Sequence, residues 1–448
     1  MQEKNAPIHE FSEASRTVKF SWDKTFLVLI ATLSSTIVLK VAQIQYLEWI
    51  YFIQMGVLLI AFHRNRYKIR LFRSLATLGV AYTLFCIVAL SLALAALRFD
   101  FFFPDMLPAM KHPVIITISR VVELVASVII MLYVASEFAH DVMKIRFTMC
   151  LYFWVGLASA IYSIVCYPFD ILGIASLGTY SDLHRMRGFM NEGGPYGLYM
   201  LSVLLVGVTI YRQGWQPTRR LVLSMAVIGI AFLKSESKAA LAATLFLFLL
   251  NGLMAGSVGK RAIVIGSALI FLVISSQFVD LARGIRNYRE ASATYERVSH
   301  LHKEDTSFVA GRVAGAFLVP RMIAAHPWSG IGWGNYATIR NSPEYRGGSA
   351  WANVADDPGL GILGTVAELG LPLGAYLLIC LIFPYWYLRR LGMPLYLTNL
   401  ALLQPVVHIF GAQLNMTYPW IITAFALGLA YAITKKESIP SEMPLVQA

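Results

Sequence analysis

Charged residues are scarce in this chain: they make up 14% of its 448 residues, against roughly 25% in soluble globular domains. The hydrophobic residues, 57% of the total, occur in continuous runs of about 20 residues and not in the alternating pattern of a membrane-spanning strand. Because lipid offers the backbone no hydrogen-bond partners, such runs are expected to be helices. The sequence therefore predicts an all-α, polytopic integral membrane protein.

Cysteine is also rare, and no metal-binding pattern stands out. The four cysteines lie within apolar runs and none forms a Cys-x-x-Cys pair, so we expect neither a disulfide framework nor a metal site. His300, His302 and His326 lack metal-like spacing to carboxylates or cysteines. The first 22 residues are polar and do not resemble a signal peptide. The sequence thus predicts no metal, no cofactor and a retained first apolar run.

Twelve apolar runs are candidates for membrane spans, so the chain divides into three parts. Nine spans fall within residues 1–279, a long polar segment covers 280–357, and three spans with a tail occupy 358–448. The twelve runs cover approximately residues 24–42, 44–62, 74–97, 114–136, 148–167, 195–211, 220–233, 238–255, 262–279, 358–386, 395–413 and 418–434.

The distribution of Lys and Arg predicts the orientation of these spans. With the N-terminus in the cytoplasm, the cytoplasmic connections hold most of the basic residues, including five in "RNRYKIRLFR". Both termini are then cytoplasmic and residues 280–357 face the periplasm of a bacterial inner membrane. The net charge of +12 reflects mainly this bias, so we expect no nucleic-acid partner.

The stretch "RMIAAHPWSGIGWGNY" (321–336) combines glycines with aromatic residues in the long polar segment. Trp328, Trp333 and Tyr336 offer flat faces for sugar rings, and glycines let a backbone approach a ligand closely. The alternative is that they are ordinary aromatic residues of the membrane interface. The preceding "RVAGAFLVPRMIAA" has helical apolar spacing, which predicts an amphipathic helix on the bilayer surface.

Basic residues recur on the predicted periplasmic side. Guanidinium groups suit the oxygens of a phosphate or pyrophosphate, although each could instead anchor a helix at the interface. The candidates for a pyrophosphate site are Arg185, Arg187, Lys238, Arg286, Arg289, Arg312 and Arg321.

Acidic side chains provide candidates for a general base. Asp356 and Asp357 stand where the long polar segment re-enters the membrane, and paired carboxylates can raise one another's pKa; the alternative is a helix cap before Pro358. Glu368 lies inside the tenth span, where a carboxylate is costly and indicates function. His326 is a further candidate. Arg120 and Glu123 are expected to pair with each other.

Three stretches resemble the O-antigen ligase and polymerase family of bacterial envelope glycosyltransferases. "RMRGFMNEGGPYGLYM" is similar to its Arg-x-x-Gly-Phe segment, with Arg185 as the arginine, and "SESKAALAA" is similar to its Ser-Arg-Gly segment, with Lys238 replacing the arginine. "GRVAGAFLVPRMIAAHPWSGIGWGNY" followed by "GTVAELGLPLG" resembles its closing signature: an arginine, an Asp/His-Pro-x-x-Gly-x-Gly turn and Glu-x-Gly. The resemblance covers about residues 180–390.

This resemblance implies glycan transfer from undecaprenyl pyrophosphate at the periplasmic face, independent of metal and inverting at the anomeric carbon. Ligases of the family carry a histidine near the end of the outside loop. Here that region reads "SAWANVADDPGLG", which favours the polymerase branch and leaves the base unassigned. A polymerase adds the glycan to another lipid-linked repeat unit, with the pathway's chain-length regulator and flippase as possible partners; a ligase adds it to lipid A-core.

Two other classes remain open at this point. A flippase or transporter also has twelve spans, but its site is expected near the membrane midplane, and the two halves show no clear repeat. A purely structural envelope protein has no need for the arginine set.

Overall fold

The computed structural model of the chain describes residues 72–95, 113–172, 179–180, 185–190, 193–254, 258–276, 309–310, 312–346, 352–353, 360–410 and 416–437, with a few isolated positions besides. Within these ranges the chain is almost entirely helical. Only two pairs of two-residue strands interrupt the helices: β1 (Thr179–Tyr180) pairs antiparallel with β2 (Arg185–Met186), and β3 (Val309–Ala310) pairs parallel with β4 (Ala352–Asn353). The all-α prediction is confirmed for this part of the chain.

Ten helices coincide with the last ten predicted spans, while the first two runs, 24–42 and 44–62, lie almost wholly outside the described residues. In chain order the ten are α1 Arg73–Ala95, α2 Pro113–His140, α3 Val142–Ile171, α4 Gly193–Arg212, α5 Thr218–Lys234, α6 Lys238–Leu253, α7 Val258–Ser276, α11 Ile362–Arg390, α12 Leu395–Ile409 and α13 Thr417–Glu437. Three more helices lie in the long polar segment: α8 Arg312–Ala325, α9 Tyr336–Ile339 and α10 Pro343–Arg346.

Six of these helices are long and apolar enough to cross a membrane: α1, α2, α3, α4, α11 and α13. Their outer faces carry exposed aliphatic side chains such as Val80 and Ile379, as expected for contact with lipid. The protein is thus an all-α membrane protein. The described residues nevertheless hold six such helices and not twelve. The first two runs lie almost wholly outside them, α5, α6 and α12 have only 17, 16 and 15 residues, and the apolar part of α7 is limited to Arg261–Phe271.

Contacts between helices bring distant parts of the chain to one end of the bundle. Gln213, just after α4, donates to the hydroxyl of Tyr396 at the start of α12 over 2.6 Å. Thr423 of α13 donates to Gln404 of α12 over 3.0 Å. The start of α4, the end of α12 and the start of α13 therefore share one end of the bundle, which we call the site end.

The helix α11 is broken near its start. Gly370 has φ 75° and ψ 166°, so residues 362–369 form a short first segment that meets the rest of α11 at a kink. Pro372 follows in the first turn of the second segment, where its missing N–H costs no hydrogen bond. Gly361, with φ 55°, packs directly on the carbonyl of Ile409 at the end of α12. The break therefore lies at the site end.

Candidate functional site

The glycine-rich turn of the long polar segment folds onto the break in α11. Four hydrogen bonds join them: Ile331 N–H to Ala367 O (3.1 Å), Gly332 N–H to Glu368 O (2.9 Å), Leu371 N–H to Pro327 O (2.7 Å) and Tyr336 N–H to the Glu368 carboxylate (3.3 Å). The two motifs that the resemblance links in sequence are thus in direct contact. The backbone groups that Gly370 releases from regular helix geometry are satisfied by the turn.

Two glycines make this close contact possible. A β-carbon at Gly330 would overlap the carbonyl of Glu368, and one at Gly370 would overlap the carbonyl of Trp328. Both residues also have positive φ, 61° and 75°, a region that favours glycine. The glycines therefore serve backbone-to-backbone packing inside the protein.

Glu368 is buried, with 7% of its surface exposed, and its polar atoms hold the turn in place. Its carboxylate accepts the Tyr336 N–H at the start of α9, and its carbonyl accepts the Gly332 N–H. The residue takes part in further polar interactions as well. Glu368 thus positions the turn, and its predicted role as a base stays a prediction.

The opposite side of the turn packs against the first third of α2. The Thr117 hydroxyl donates to the carbonyl of Trp333 over 2.6 Å, and a β-carbon at Gly334 would overlap Ile116. One helical turn further along, Arg120 forms an ion pair with Glu123 at 3.5 Å, which confirms the predicted pairing. The turn is therefore held between α2 and α11.

Of the three aromatic residues predicted to bind sugar, two are buried. Trp333 is 5% exposed and packs edge-on against Phe85, with ring centroids 5.4 Å apart. Tyr336 is 1% exposed, whereas Trp328 is 76% exposed. Trp333 and Tyr336 were expected to offer free faces, but their rings pack in the protein interior because the turn folds inward. Only Trp328 presents an open ring.

The apolar face of α8 is likewise covered by protein, contrary to the prediction of an amphipathic helix on the bilayer. Leu318, Val319 and Met322 pack in a small core with side chains from the glycine turn, α9, α10 and α11. The exposed face of α8 includes Arg321, whose guanidinium donates to the carbonyl of Tyr345 over 2.8 Å. This helix therefore acts as a support for the turn.

His326 links the end of α8 to α10. Its Nε2 lies 2.8 Å from the hydroxyl of Tyr345, which is buried, and 3.6 Å from the carboxylate of Glu344. These contacts fix the imidazole beside the turn, and the role of His326 as a base stays a prediction. Both partners of the imidazole in these contacts, Tyr345 and Glu344, belong to α10.

A second cluster at the site end is built around Arg185. Its Nε donates to the carbonyl of Ser235 over 3.0 Å and its Nη2 to the carbonyl of Glu236 over 3.2 Å. These carbonyls follow the end of α5, where a cation is favoured by the helix dipole. Gly193, at the start of α4, allows this approach because a β-carbon there would lie 2.6 Å from the Ser235 carbonyl. Arg185 thus joins the start of α4 to the end of α5.

Other charged groups surround this arginine. Glu236 has an unusual φ of 50°; burial raises the pKa of its carboxyl group, while nearby Arg185 and Lys234 lower it. The Lys234 ammonium lies 3.4 Å from the Tyr167 hydroxyl and 5.3 Å from the centre of that ring. Arg187, two residues after Arg185, is half-buried and interacts electrostatically with Tyr162. Lys238, in contrast, is exposed.

Two residues at this end were not among the predicted site residues. One is Lys234, and its basic side chain at the end of an apolar run, where α5 ends, is the signal that could have found it. His408 lies in the apolar run "QPVVHIF", is 5% exposed, and places its Nε2 3.2 Å from the Thr365 hydroxyl. A histidine within an apolar span is such a signal too.

Several predicted site residues lie outside the described part of the chain. Asp356, Asp357, Arg286 and Arg289 are among them, and for Arg312 the structure describes the backbone at the start of α8 but not the side chain. Among the described residues, no group of three or more His, Cys, Asp or Glu side chains could hold a metal ion.

Comparison with known proteins gives no family assignment. No protein-family model matches the chain, and no curated protein matches it either.

Proposed function

We propose that the protein is a polysaccharide polymerase of the bacterial inner membrane. In this proposal it transfers a growing glycan from undecaprenyl pyrophosphate to a hydroxyl of another lipid-linked repeat unit. The observation that carries the proposal is that the glycine turn bound to Glu368 and the basic cluster of Arg185, Arg187 and Lys234 lie at the same end of the bundle. An outer-leaflet enzyme needs its polar groups at one end.

The proposed topology has twelve spans, with both termini in the cytoplasm and the site end facing the periplasm. The positive-inside distribution of Lys and Arg supports this orientation. A donor presented at the outer leaflet can then reach the site end with its isoprenoid chain still in the bilayer.

The chemistry requires stabilisation of a leaving group and removal of a proton. Undecaprenyl pyrophosphate gains negative charge as it departs, and preorganised guanidinium and ammonium groups stabilise such charge. Attack of the acceptor hydroxyl from the opposite side inverts the anomeric carbon. The charge stabilisation in this proposal comes from side chains, and it needs no metal.

The ligase remains an alternative because the resemblance covers both branches. The loop sequence "SAWANVADDPGLG", which lacks histidine, favours the polymerase. A flippase is less well supported, since its polar groups are expected near the membrane midplane and here the described clusters lie at one end.

Reconstitution distinguishes these functions. The purified protein in vesicles is given a purified lipid-linked repeat unit, with lipid A-core added in a parallel sample. A ladder of longer lipid-linked products supports the polymerase. Transfer to lipid A-core alone supports the ligase, and movement of the unextended substrate between leaflets supports the flippase.

Labelling tests the orientation. In a cysteine-free variant, cysteines are introduced at the exposed positions Glu344 and Arg220 and treated with an impermeant thiol reagent in spheroplasts. We expect labelling at position 344 and none at 220. The reverse pattern contradicts the proposed topology.

A further inference from the structure

The exposed residue Trp328 of the glycine turn lies beside the outer face of α11. The carbonyl of Trp328 packs on Gly370 so closely that a β-carbon there would overlap it. One residue further along each segment, Leu371 donates its N–H to the carbonyl of Pro327 over 2.7 Å. The side chain of Leu371 is exposed, as is the indole ring of Trp328. The turn therefore presents an open aromatic ring next to an exposed leucine of a membrane-spanning helix.

Leu371 begins an exposed stripe along the second segment of α11. Ile379 and Trp386 follow at helical spacing, and the stripe ends at Arg390, whose guanidinium lies 4.5 Å from the centre of the Trp386 ring. An aromatic ring and a cation at the end of an apolar face are typical of a membrane–water interface. The twenty residues from Leu371 to Arg390 rise by roughly 30 Å, which is the thickness of the hydrocarbon core. The start of the stripe thus lies at the opposite interface.

The helix on the other side of the glycine turn also has an exposed apolar face at this level. Near its start, α2 contacts the turn through Ile116 and Thr117. On its outer face, Ile115, Ile118 and Val122 are exposed. The turn is therefore held between two membrane-spanning helices, close to the point where the apolar face of each begins. An outward-facing side chain of the turn reaches the surface of the bilayer at that level.

We propose that Trp328 is inserted into the interfacial layer of the bilayer at the site end, where its partner is the lipid headgroup region. An indole in this layer buries its apolar ring while its N–H keeps a hydrogen bond. A ring that binds sugar stands among polar groups that hydrogen-bond the ligand, whereas Ala324, Ala325 and Leu371, the exposed residues next to Trp328, are apolar. The glycine turn is then held at the level of the lipid headgroups. This inference does not depend on glycan transfer.

Spin labelling of the full-length protein in phosphatidylcholine vesicles measures the depth of this position. In a cysteine-free variant, a nitroxide is attached after Trp328→Cys, after Ile379→Cys in the exposed stripe of α11, or after Glu344→Cys in the exposed part of α10. Relaxation by oxygen, which concentrates in hydrocarbon, is compared with relaxation by a water-soluble nickel chelate. We expect oxygen to dominate at position 379, nickel to dominate at 344, and position 328 to give an intermediate ratio. A ratio at 328 equal to that at either control position overturns the inference.

A second measurement follows the native indole, because Trp328→Cys removes it, and this measurement decides if the two differ. The emission of Trp328 is obtained as the difference between wild type and Trp328→Phe, in vesicles whose lipids carry bromine either near the headgroup or deep in the acyl chains. We expect stronger quenching by the shallow bromine. Trp154→Phe is the matched control: Trp154 is exposed in the middle part of α3, and its emission should be quenched more strongly by the deep bromine. If Trp328 emission ignores both lipids and is quenched by aqueous iodide, the ring lies in water, and protection from iodide by added oligosaccharide would identify it as a sugar-binding ring; either result overturns the inference.

Discussion

The contact between the glycine turn and the break in α11 can be tested by a single methyl group. In Gly370→Ala, the new β-carbon would overlap the carbonyl of Trp328, and alanine would have to adopt φ 75° and ψ 166°, a region essentially restricted to glycine that costs roughly 1–3 kcal/mol. Displacing the turn also weakens the four hydrogen bonds to residues 367–371. Losing two of them adds roughly 1–3 kcal/mol, for a total of about 2–6 kcal/mol.

Thermal unfolding of the purified protein in detergent measures this effect. A thiol-reactive fluorophore reports unfolding through the buried Cys86 and Cys380. We expect a clearly lower Tm for Gly370→Ala together with loss of glycan elongation. The matched control is Gly229→Ala in α5, where an added β-carbon meets nothing within 4 Å and improves helix propensity, so its Tm should equal or exceed that of wild type. A Gly370→Ala protein with wild-type Tm and activity would refute the packing argument.

Three further predictions concern charged residues. Arg185→Ala removes two charge-assisted hydrogen bonds from a half-buried guanidinium, so we expect a lower Tm and at least a roughly tenfold slower elongation. Lys238 is exposed, so the control Lys238→Ala should keep the wild-type Tm. Equal Tm values for wild type, Arg185→Ala and Lys238→Ala would contradict the role of Arg185 in joining α4 to α5. Asp356→Asn tests this carboxylate as the base of the proposed transfer: a fall in rate of roughly 10²–10⁴-fold supports that role, whereas a rate within a few-fold of wild type excludes it. Burial raises the pKa of Glu236, so folding favours the protonated carboxyl, and this contribution to stability is lost as pH rises through the raised pKa. The Tm of Glu236→Gln should therefore rise relative to that of wild type as pH increases above the carboxyl range. A Tm difference that instead grows towards acid pH would contradict a raised pKa for Glu236.

The sequence predicted the helices well because their signal is local. Each of the last ten apolar runs became a helix close to its expected bounds, since continuous hydrophobicity over a span is a property of neighbouring residues. The count of membrane crossings was less accurate, because helices such as α6 and α12 are apolar throughout but have only 16 and 15 residues.

The roles of the polar residues were harder to predict because they depend on contacts between distant segments. Trp333 and Tyr336 have the same sequence character as Trp328, yet only Trp328 remains exposed. Trp333 and Tyr336 are buried because the turn folds against α2, a helix more than 200 residues earlier in the chain. His408 was missed for the same reason: its neighbour Thr365 lies 43 residues away.

The motifs that resemble the ligase and polymerase family contact one another or neighbouring helices, so packing alone can account for them. The His-Pro-x-x-Gly-x-Gly turn and the Glu-x-Gly of α11 bind each other through backbone groups, so their joint presence is accounted for by packing at the site end. Arg185 in turn donates to carbonyls at the end of α5. The described parts of these motifs therefore explain how the site end is assembled, and chemistry on a sugar must come from side chains placed on that framework.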